Sequence, residues 1–200
     1  RAITRSAARA ERLRHDGIGP IVADLMDPGS IREPLADLPI QHVLYCVGYD
    51  RGSLVSKESL YIDGLKNAVE AVANPAARWV YVSSSSVYGQ DDGSWVDETS
   101  PTEPISDGGR ICLRAEQRLC GSSINATILR MSGLYGPERL LVRVDQLRNG
   151  DPIGGNPDAW LNLIHGDDAA AACVAALTAT SPSRLYLVSD RCPIPRRQYY

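Results

Sequence analysis

A short apolar stretch that ends abruptly in hydroxyl groups constrains this chain more than any other feature. It runs Trp79-Val-Tyr-Val-Ser-Ser-Ser-Ser-Val-Tyr-Gly-Gln90. A continuous apolar run of this length is typical of a parallel strand buried on both faces, and such strands deliver polar groups to a cleft at their carboxyl ends. The segment therefore predicts a buried strand over 79–82 that leads directly into a polar site.

Further apolar runs of strand length alternate with helical patterns along the chain, which indicates repeated βα units and a parallel sheet. The remaining strands are expected at 2–4, 19–23, 41–48, 125–130 and 184–189, and the helices at 7–15, 57–73, 106–119, 140–148 and 167–178. Gly121 is expected to cap the helix at 106–119, and the aspartates Asp167 and Asp168 to cap the last helix. These patterns predict one α/β domain over residues 1–200, a doubly wound parallel sheet of the Rossmann type.

Composition excludes several classes of partner. The net charge of −3 argues against nucleic acid or an anionic membrane as a partner. The apolar runs are too short to span a bilayer. Five cysteines, never spaced as Cys-x-x-Cys, are expected to be reduced thiols of a cytoplasmic protein. Three isolated histidines give no expectation of a metal site.

The segment Ser83-Ser-Ser-Ser-Val-Tyr-Gly89 resembles the serine segment of the extended short-chain dehydrogenase/reductase family, which includes the NAD-dependent sugar epimerases and dehydratases. The resemblance places Ser84 where that family has its catalytic serine or threonine, whose hydroxyl orients the substrate oxygen. It also implies that Ser85 and Tyr88 face the substrate. The alternative is that the serine run only satisfies backbone groups at a strand-to-loop junction.

In that family a Tyr-x-x-x-Lys pair follows on the next helix, where the lysine lowers the pKa of the tyrosine so that it exchanges a proton. The matching positions here are Gly108 and Cys112, which can do neither job. Both lysines of the chain, Lys57 and Lys66, precede the serine strand, so a shifted register does not restore the pair. Cys112 is expected to be a buried, inert thiol, although a nucleophilic or redox role remains an alternative.

The resemblance also implies a nicotinamide dinucleotide as cofactor. Arg5 stands where relatives that prefer NAD carry an acidic residue for the ribose diol. An arginine there would contact the 2′-phosphate of NADP, which slightly favours NADP over NAD. An ordinary surface arginine is an equally good interpretation. The other residues implied to contact the cofactor are Asp24, Leu25, Cys46, Val47 and Gly48 on the adenosine side and Met131, Ser132 and Gly133 on the nicotinamide side. The first strand and the glycine-rich phosphate-binding turn of the family are expected to lie before residue 1.

A small substrate-side region is expected over about 131–168. Within it, Met131-Ser-Gly-Leu-Tyr-Gly-Pro137 and Asn162-Leu-Ile-His-Gly-Asp-Asp168 resemble two loops of the family. The resemblance implies that Tyr135 and His165 lie near the substrate, while the alternative for His165 is that it braces its loop and caps the following helix.

The function implied by this resemblance takes two forms. The first is an oxidoreductase or epimerase acting on a small polar molecule, by analogy a nucleotide sugar. The second is a dinucleotide-binding sensor or scaffold without turnover. The helices at 57–73 and 106–119 are implied to pair across a homodimer.

Overall fold

A computed structural model of the chain describes residues 1–50, 52–137, 139 and 144–200. The strands are β1 (Ala2–Thr4), β2 (Pro20–Val22), β3 (His42–Tyr45), β4 (Arg78–Ser84), β5 (Asn125–Met131), β6 (Gly133–Tyr135), β7 (Trp160–Leu161), β8 (Leu163–His165), β9 (Leu185–Val188) and β10 (Ile194–Pro195). The helices are α1 (Ala7–His15), α2 (Pro28–Leu35), α3 (Lys57–Ala71), α4 (Asp107–Cys120), α5 (Val144–Arg148), α6 (Gly166–Thr178) and α7 (Arg196–Tyr199), with a 3₁₀ turn at Ser85–Val87.

A parallel four-stranded sheet in the order β3-β4-β5-β9 forms the centre of the fold. Strand β4 lies between β3 and β5, so that Trp79 pairs with Val43 on one side and Ala126 on the other. Strands β1 and β2 form a separate parallel pair. Two further pairs, β6 with β8 and β7 with β10, join the segments beyond β5. The α/β class and the parallel sheet predicted from the sequence are confirmed.

Helices cover both faces of the central sheet. Trp79 and Tyr81 of β4 pack with residues of α3 and α4 in one core cluster. Val80, between them, belongs to a second cluster formed with α6. Because successive side chains of a strand point to opposite faces, an uninterrupted apolar run has to be covered on both sides. The doubly wound arrangement follows from this.

A third core cluster includes Ile21 of β2 and contains Ile31 and Leu35 of α2. The sequence pattern predicted no helix or strand at Pro28–Leu35. Asp27 begins α2 by accepting hydrogen bonds from the backbone N–H groups of Gly29 and Ser30, and Pro28 is its first residue. Proline is favoured at that position because its missing N–H would have no helical partner.

Several predicted boundaries are corrected. Strand β4 continues through Ser84, beyond the predicted end at Val82, because its pairing with β5 extends to Met131. Helix α3 ends at Ala71, and the extended backbone of Val72 closes it. For the predicted helix at 140–148, residues 140–143 lie outside the described residues and Val144–Arg148 are helical.

Two predicted helix caps have different outcomes. His165, and not an aspartate, is the N-cap of α6, since its side chain accepts a hydrogen bond from the backbone N–H of Asp167. Gly121 does close α4, but with an ordinary right-handed backbone (φ −81°), so the position does not need the conformational freedom of glycine. Within the described ranges, none of the helices has the length and apolar character needed to cross a membrane.

Candidate functional site

The carboxyl edge of the four-stranded sheet brings together three of the predicted segments, 46–48, 84–85 and 131–133. Ser84 and Met131 are the last residues of β4 and β5 and pair with each other. Cys46 follows directly on the last residue of β3. In open parallel sheets, ligands bind outside this edge. The fold thus places these segments where a ligand would lie, while their individual contacts stay predictions.

Ser84 is half-buried, and its side-chain oxygen accepts a hydrogen bond from the backbone N–H of Ser86 at 3.2 Å. It thereby caps the 3₁₀ turn, as the structural alternative for the serine run expected. Its hydroxyl donates no hydrogen bond within the part of the chain that the structure describes. Ser84 is therefore still able to donate to a ligand.

A buried polar network, which was not predicted from the sequence, lies beneath this edge. Ser83 donates a hydrogen bond to Glu116 at 2.5 Å, and Arg130 donates from Nε and Nη2 to the same carboxylate, the shortest distance being 2.8 Å. The side chains of Arg130 and Glu116 are 8% and 4% exposed. Although burial acts to lower the pKa of Arg130, its hydrogen bonds to Glu116 and Tyr88 raise that pKa overall. Glu116 ties α4 to β4 and β5 by this network.

The alternation of side chains along β4 is the sequence feature that indicates this network. Ser83 lies on the same face of β4 as Trp79 and Tyr81, two buried residues that pack toward α4. A serine at that position has to find a hydrogen-bond partner on the covering helix. Glu116 is on the buried face of α4, next to Ala115.

Tyr88 joins the network to the loop at 90–104. Its hydroxyl accepts a hydrogen bond from Nη1 of Arg130 at 2.9 Å and donates one to the backbone carbonyl of Asp97 at 2.8 Å. The guanidinium carbon of Arg130 also lies 5.0 Å from the centre of the ring. Burial raises the pKa of Tyr88, and the bond from Arg130 opposes that effect. With its hydrogen committed to Asp97, Tyr88 could offer a substrate mainly its ring and one lone pair.

The start of α4 packs closely against the 3₁₀ turn, and Gly109 is what permits it. A Cβ at position 109 would lie 2.1 Å from the carbonyl oxygen of Ser86. Gly89 is constrained in the same way, since a Cβ there would lie 2.0 Å from the carbonyl oxygen of Glu103. Backbone approaches this close exclude any side chain. Close packing therefore requires a glycine at Gly89, the last residue of the serine motif.

The two positions of the absent Tyr/Lys pair hold a glycine, Gly108, and a thiol, Cys112. Cys112 is buried, as predicted, and burial raises the pKa of its thiol, while the Lys57 ammonium acts in the opposite direction. Gly108 leaves open a space beside that ammonium, since a Cβ at position 108 would lie 2.9 Å from Nζ of Lys57. The sequence order excluded Lys57 from the family pair, but α3 brings this lysine to position 108.

The predicted adenosine-side residues follow the carboxyl ends of β1, β2 and β3. Arg5 is exposed between β1 and α1. Asp24 accepts a hydrogen bond from the backbone N–H of Met26, and Leu25 packs between two core clusters. Around Gly48, apart from its chain neighbours, no described atom lies within 4 Å of the position where a Cβ would stand. Exposure of Arg5 agrees equally with an ordinary surface arginine, so contacts of Arg5 and Gly48 with a dinucleotide stay predictions.

Val47 and the nicotinamide-side residues are more enclosed. Val47 is half-buried and packs against the core cluster of α3 and α4. Met131 and Ser132 are buried, and Ser132 donates its backbone N–H to the carbonyl of Val188. Gly133 donates its backbone N–H to the carbonyl of Asn162. A cofactor contact at these four residues stays a prediction.

Tyr135 and His165 face each other across the β6–β8 pair, with ring centres 5.3 Å apart in an edge-on arrangement. The Nδ1 atom of His165 accepts the Asp167 N–H at 3.3 Å, which is the bracing role that the sequence left open. Its other ring nitrogen lies against the backbone of Gly136, 2.9 Å from the Cβ position there. No group of three or more metal-ligating side chains occurs among the residues that the structure describes.

Comparison with known proteins identifies the family. A model of the NAD dependent epimerase/dehydratase family matches residues 1–188. The chain belongs to this family. Protein YeeZ of Escherichia coli K12 is 30% identical over 147 residues, which is 72% of this chain and 51% of YeeZ. The chain thus spans about half the length of the curated relatives it matches.

Two solved structures illustrate the similarity. A protein of Methylobacillus flagellatus assigned to the NAD-dependent epimerases/dehydratases is 31% identical, with a TM-score of 0.73 over 98% of this chain and 77% of that one. The UDP-glucose 4-epimerase of Thermus thermophilus, solved as a complex with NAD, is 17% identical, with a TM-score of 0.71 over 98% of this chain and 79% of that one. The second likeness shows a shared fold.

Proposed function

We propose that this chain is the cofactor-binding part of an epimerase- or dehydratase-like oxidoreductase that works without the Tyr-x-x-x-Lys pair. The family match over residues 1–188 is the observation that carries the proposal. The arrangement of segments 46–48, 84–85 and 131–133 along one sheet edge supports it, because ligands of parallel sheets bind there.

The cofactor in this proposal is a nicotinamide dinucleotide, which when bound accepts or supplies a hydride. Asp24, Leu25 and the segment 46–48 would hold its adenosine half, and 131–133 would flank the nicotinamide. The exposed Arg5 would meet a 2′-phosphate, which favours NADP. The NAD bound by the Thermus thermophilus epimerase is the reason to keep NAD as the alternative.

The substrate in this proposal is a small polar molecule, by analogy with that epimerase a nucleotide sugar. Ser84 would donate its free O–H to the substrate oxygen. The hydroxyl of Ser85, the ring of Tyr88, Tyr135 and the outer edge of His165 would line the substrate side. Helices α3 and α4 carry the surface on which we propose that a homodimer forms.

A second candidate function is a dinucleotide-binding sensor or scaffold without turnover. The observation that favours it is specific, because Gly108 has no side chain and the thiol of Cys112 is buried with a raised pKa. Neither residue can supply the proton transfer that the family pair performs.

Calorimetric titration of the full-length native protein with NAD⁺, NADH, NADP⁺ and NADPH tests the cofactor site. If Arg5 contacts a 2′-phosphate, Arg5→Ala weakens NADP⁺ binding roughly tenfold, because one charge-assisted hydrogen bond is lost. The binding of NAD⁺, which has no 2′-phosphate, should stay unchanged. Arg9→Ala, one turn further along α1, is the matched control. Failure of all four nucleotides to bind would contradict both candidate functions.

Turnover then separates the two candidates. Conversion of UDP-glucose by the NAD⁺-bound protein, or reduction of the bound nucleotide, supports the enzyme. Tight nucleotide binding without any conversion across a panel of nucleotide sugars supports the sensor or scaffold.

A further inference from the structure

We infer that Lys57 contacts the reacting oxygen of the substrate and donates a charge-assisted hydrogen bond to it, in the place left open by the glycine at position 108. The inference rests on the proposed oxidoreductase function. It assigns to a residue of α3 a role that the family sequence pattern places on α4.

The position of the ammonium is the main observation. Nζ of Lys57 lies 2.9 Å from the point where a Cβ at Gly108 would stand, and 5.2 Å from the centre of the Tyr61 ring. A side chain at position 108 would begin in too close a contact with this ammonium. Glycine at 108 therefore makes room for a cation that reaches over from the neighbouring helix.

No carboxylate of the described residues forms an ion pair with Lys57. The acids in the first turns of α3 and α4 are both engaged elsewhere, Glu58 with Arg114 at 2.5 Å and Asp107 with Arg110 at 2.7 Å. Among the ion pairs of the described residues, none includes Lys57. An ion pair among the described residues therefore does not explain its position.

Two helix N-termini lie beside Lys57, and each of their first turns also carries an acid, Glu58 in α3 and Asp107 in α4. Lys57 is the first residue of α3, and its ammonium lies beside the first turn of α4. The N-termini of helices carry partial positive charge and disfavour a nearby cation. The contact with the Tyr61 ring is the favourable interaction that the structure shows there. A negative group arriving between these helices would interact favourably with the ammonium.

Lys57 lies near the serine segment, because Gly109, the residue after Gly108, packs against the carbonyl oxygen of Ser86. The charge of Lys57 acts on the Cys112 thiol, which also interacts with the side chain of Ser86. Ser86 in turn donates its backbone N–H to the side-chain oxygen of Ser84. For the inferred contact, an oxygen held by Ser84 has to lie within reach of the Lys57 ammonium. A preorganised cationic donor stabilises negative charge developing on such an oxygen.

Lys57→Met, compared with Lys66→Met, tests the inference in the full-length native protein with UDP-glucose and NAD⁺. Lys66 is the matched control, because it lies on the same helix and pairs with Glu70 at 3.6 Å. We expect Lys57→Met to lower kcat roughly 10²-fold, the usual loss for one such donor, with NAD⁺ affinity unchanged. Lys57→Arg, which keeps the charge and the donors, should retain more activity than Lys57→Met.

A second readout does not depend on turnover. Acetylation of lysines, followed by mass spectrometry with and without UDP-glucose and NADH, should show protection of Lys57 and none of Lys66. Equal kcat values for the two methionine variants, or equal acetylation of Lys57 with and without ligand, overturn the inference. If the wild type converts no substrate, the enzyme proposal fails, and the acetylation result alone decides whether Lys57 contacts the ligand.

Discussion

Single residues at the start of α4 show why two adjacent glycines are not equivalent. The Cβ position of Gly109 lies against rigid neighbours, the carbonyl oxygen of Ser86 at 2.1 Å and the Cβ of Pro104 at 2.8 Å. Among the described atoms, the Cβ position of Gly108 meets just the flexible end of Lys57. A backbone cannot move aside as a lysine ammonium can, so only one of the two positions forbids a side chain.

We expect Gly109→Ala to lower the free energy of unfolding by about 1–3 kcal/mol, the usual range for overpacking. Gly108→Ala, its matched control, should be neutral or stabilising by up to about 1 kcal/mol, because alanine favours a helix over glycine. Urea unfolding of the two variants measures both values. Similar losses for the two variants would contradict the packing of α4 against the 3₁₀ turn.

The buried ion pair between Glu116 and Arg130 gives a second prediction at this scale. Glu116→Gln leaves the Arg130 guanidinium buried without its counter-charge, so we expect a loss of about 3–5 kcal/mol in unfolding free energy. Glu58→Gln breaks the exposed pair with Arg114 and should change stability by less than about 1 kcal/mol. Thermal or urea unfolding distinguishes the two, and equal effects would mean that the Arg130 side chain finds another partner.

Among the larger elements, the loop at 90–104 is held in place by its side chains. Glu98 accepts the backbone N–H of Leu187 in β9 at 2.8 Å, and the carbonyl of Asp97 receives the Tyr88 hydroxyl. The Asp97 carboxylate accepts hydrogen bonds from the backbone and side chain of Thr99 and from the side chain of Ser100. These bonds order the loop internally and tie it to β9 and to Tyr88.

The loop should loosen in acid. The hydrogen bonds from Thr99, followed by those from Ser100, hold the pKa of Asp97 below its ordinary value. The pKa of Asp97 is lower in the folded state than in the unfolded state, where it is about 3.9. The ionised carboxylate therefore stabilises the loop fully above about pH 3.9, and this stabilisation is lost as the pH falls through the folded-state pKa. In an NMR titration, the Thr99 amide should shift with a midpoint below the unfolded-state value. Asp97→Asn should show the acid form of the loop at pH 7, and a Thr99 midpoint at or above the ordinary value would contradict the prediction.

For the molecule as a whole, helix α3 connects the β1–β2 pair to the central sheet. Asn67 of α3 donates a hydrogen bond from its side-chain amide to the carbonyl of Leu25 at 2.8 Å. Ala71 of the same helix belongs to the core cluster around β2, while Leu65 and Ala68 belong to the cluster around β4. One helix thus serves two packing units.

Asn67→Ala should therefore loosen the β1–β2 pair more than the central sheet. The lost hydrogen bond is worth about 1 kcal/mol, and amide hydrogen exchange in β1 and β2 should accelerate accordingly, while β4 and β5 change little. Lys66→Ala, at the neighbouring exposed position, is the control. Uniform acceleration across both units would show that they unfold together.

Much of the architecture was predictable because it depends on local periodicity. The alternating apolar runs predicted the strands β3, β4, β5 and β9 and the helices α3, α4 and α6, and they predicted that β4 is covered on both faces. The site edge followed, since parallel strands end on one side. The substitution of Gly108 and Cys112 for the family pair was also legible from the sequence alone. Helix α2 was not, because prolines and a glycine obscure its pattern.

What the tertiary structure alone decided is which distant groups meet. Periodicity tells which face of an element is buried, but it does not tell which side chain covers that face. The partnership of Ser83, Glu116 and Arg130 depends on how α4 lies across β4 and β5. The approach of Lys57 to Gly108 depends on how α3 lies beside α4. Sequence order placed this lysine before the serine strand and so outside the site, whereas helix packing carries its ammonium into the space that a missing side chain leaves.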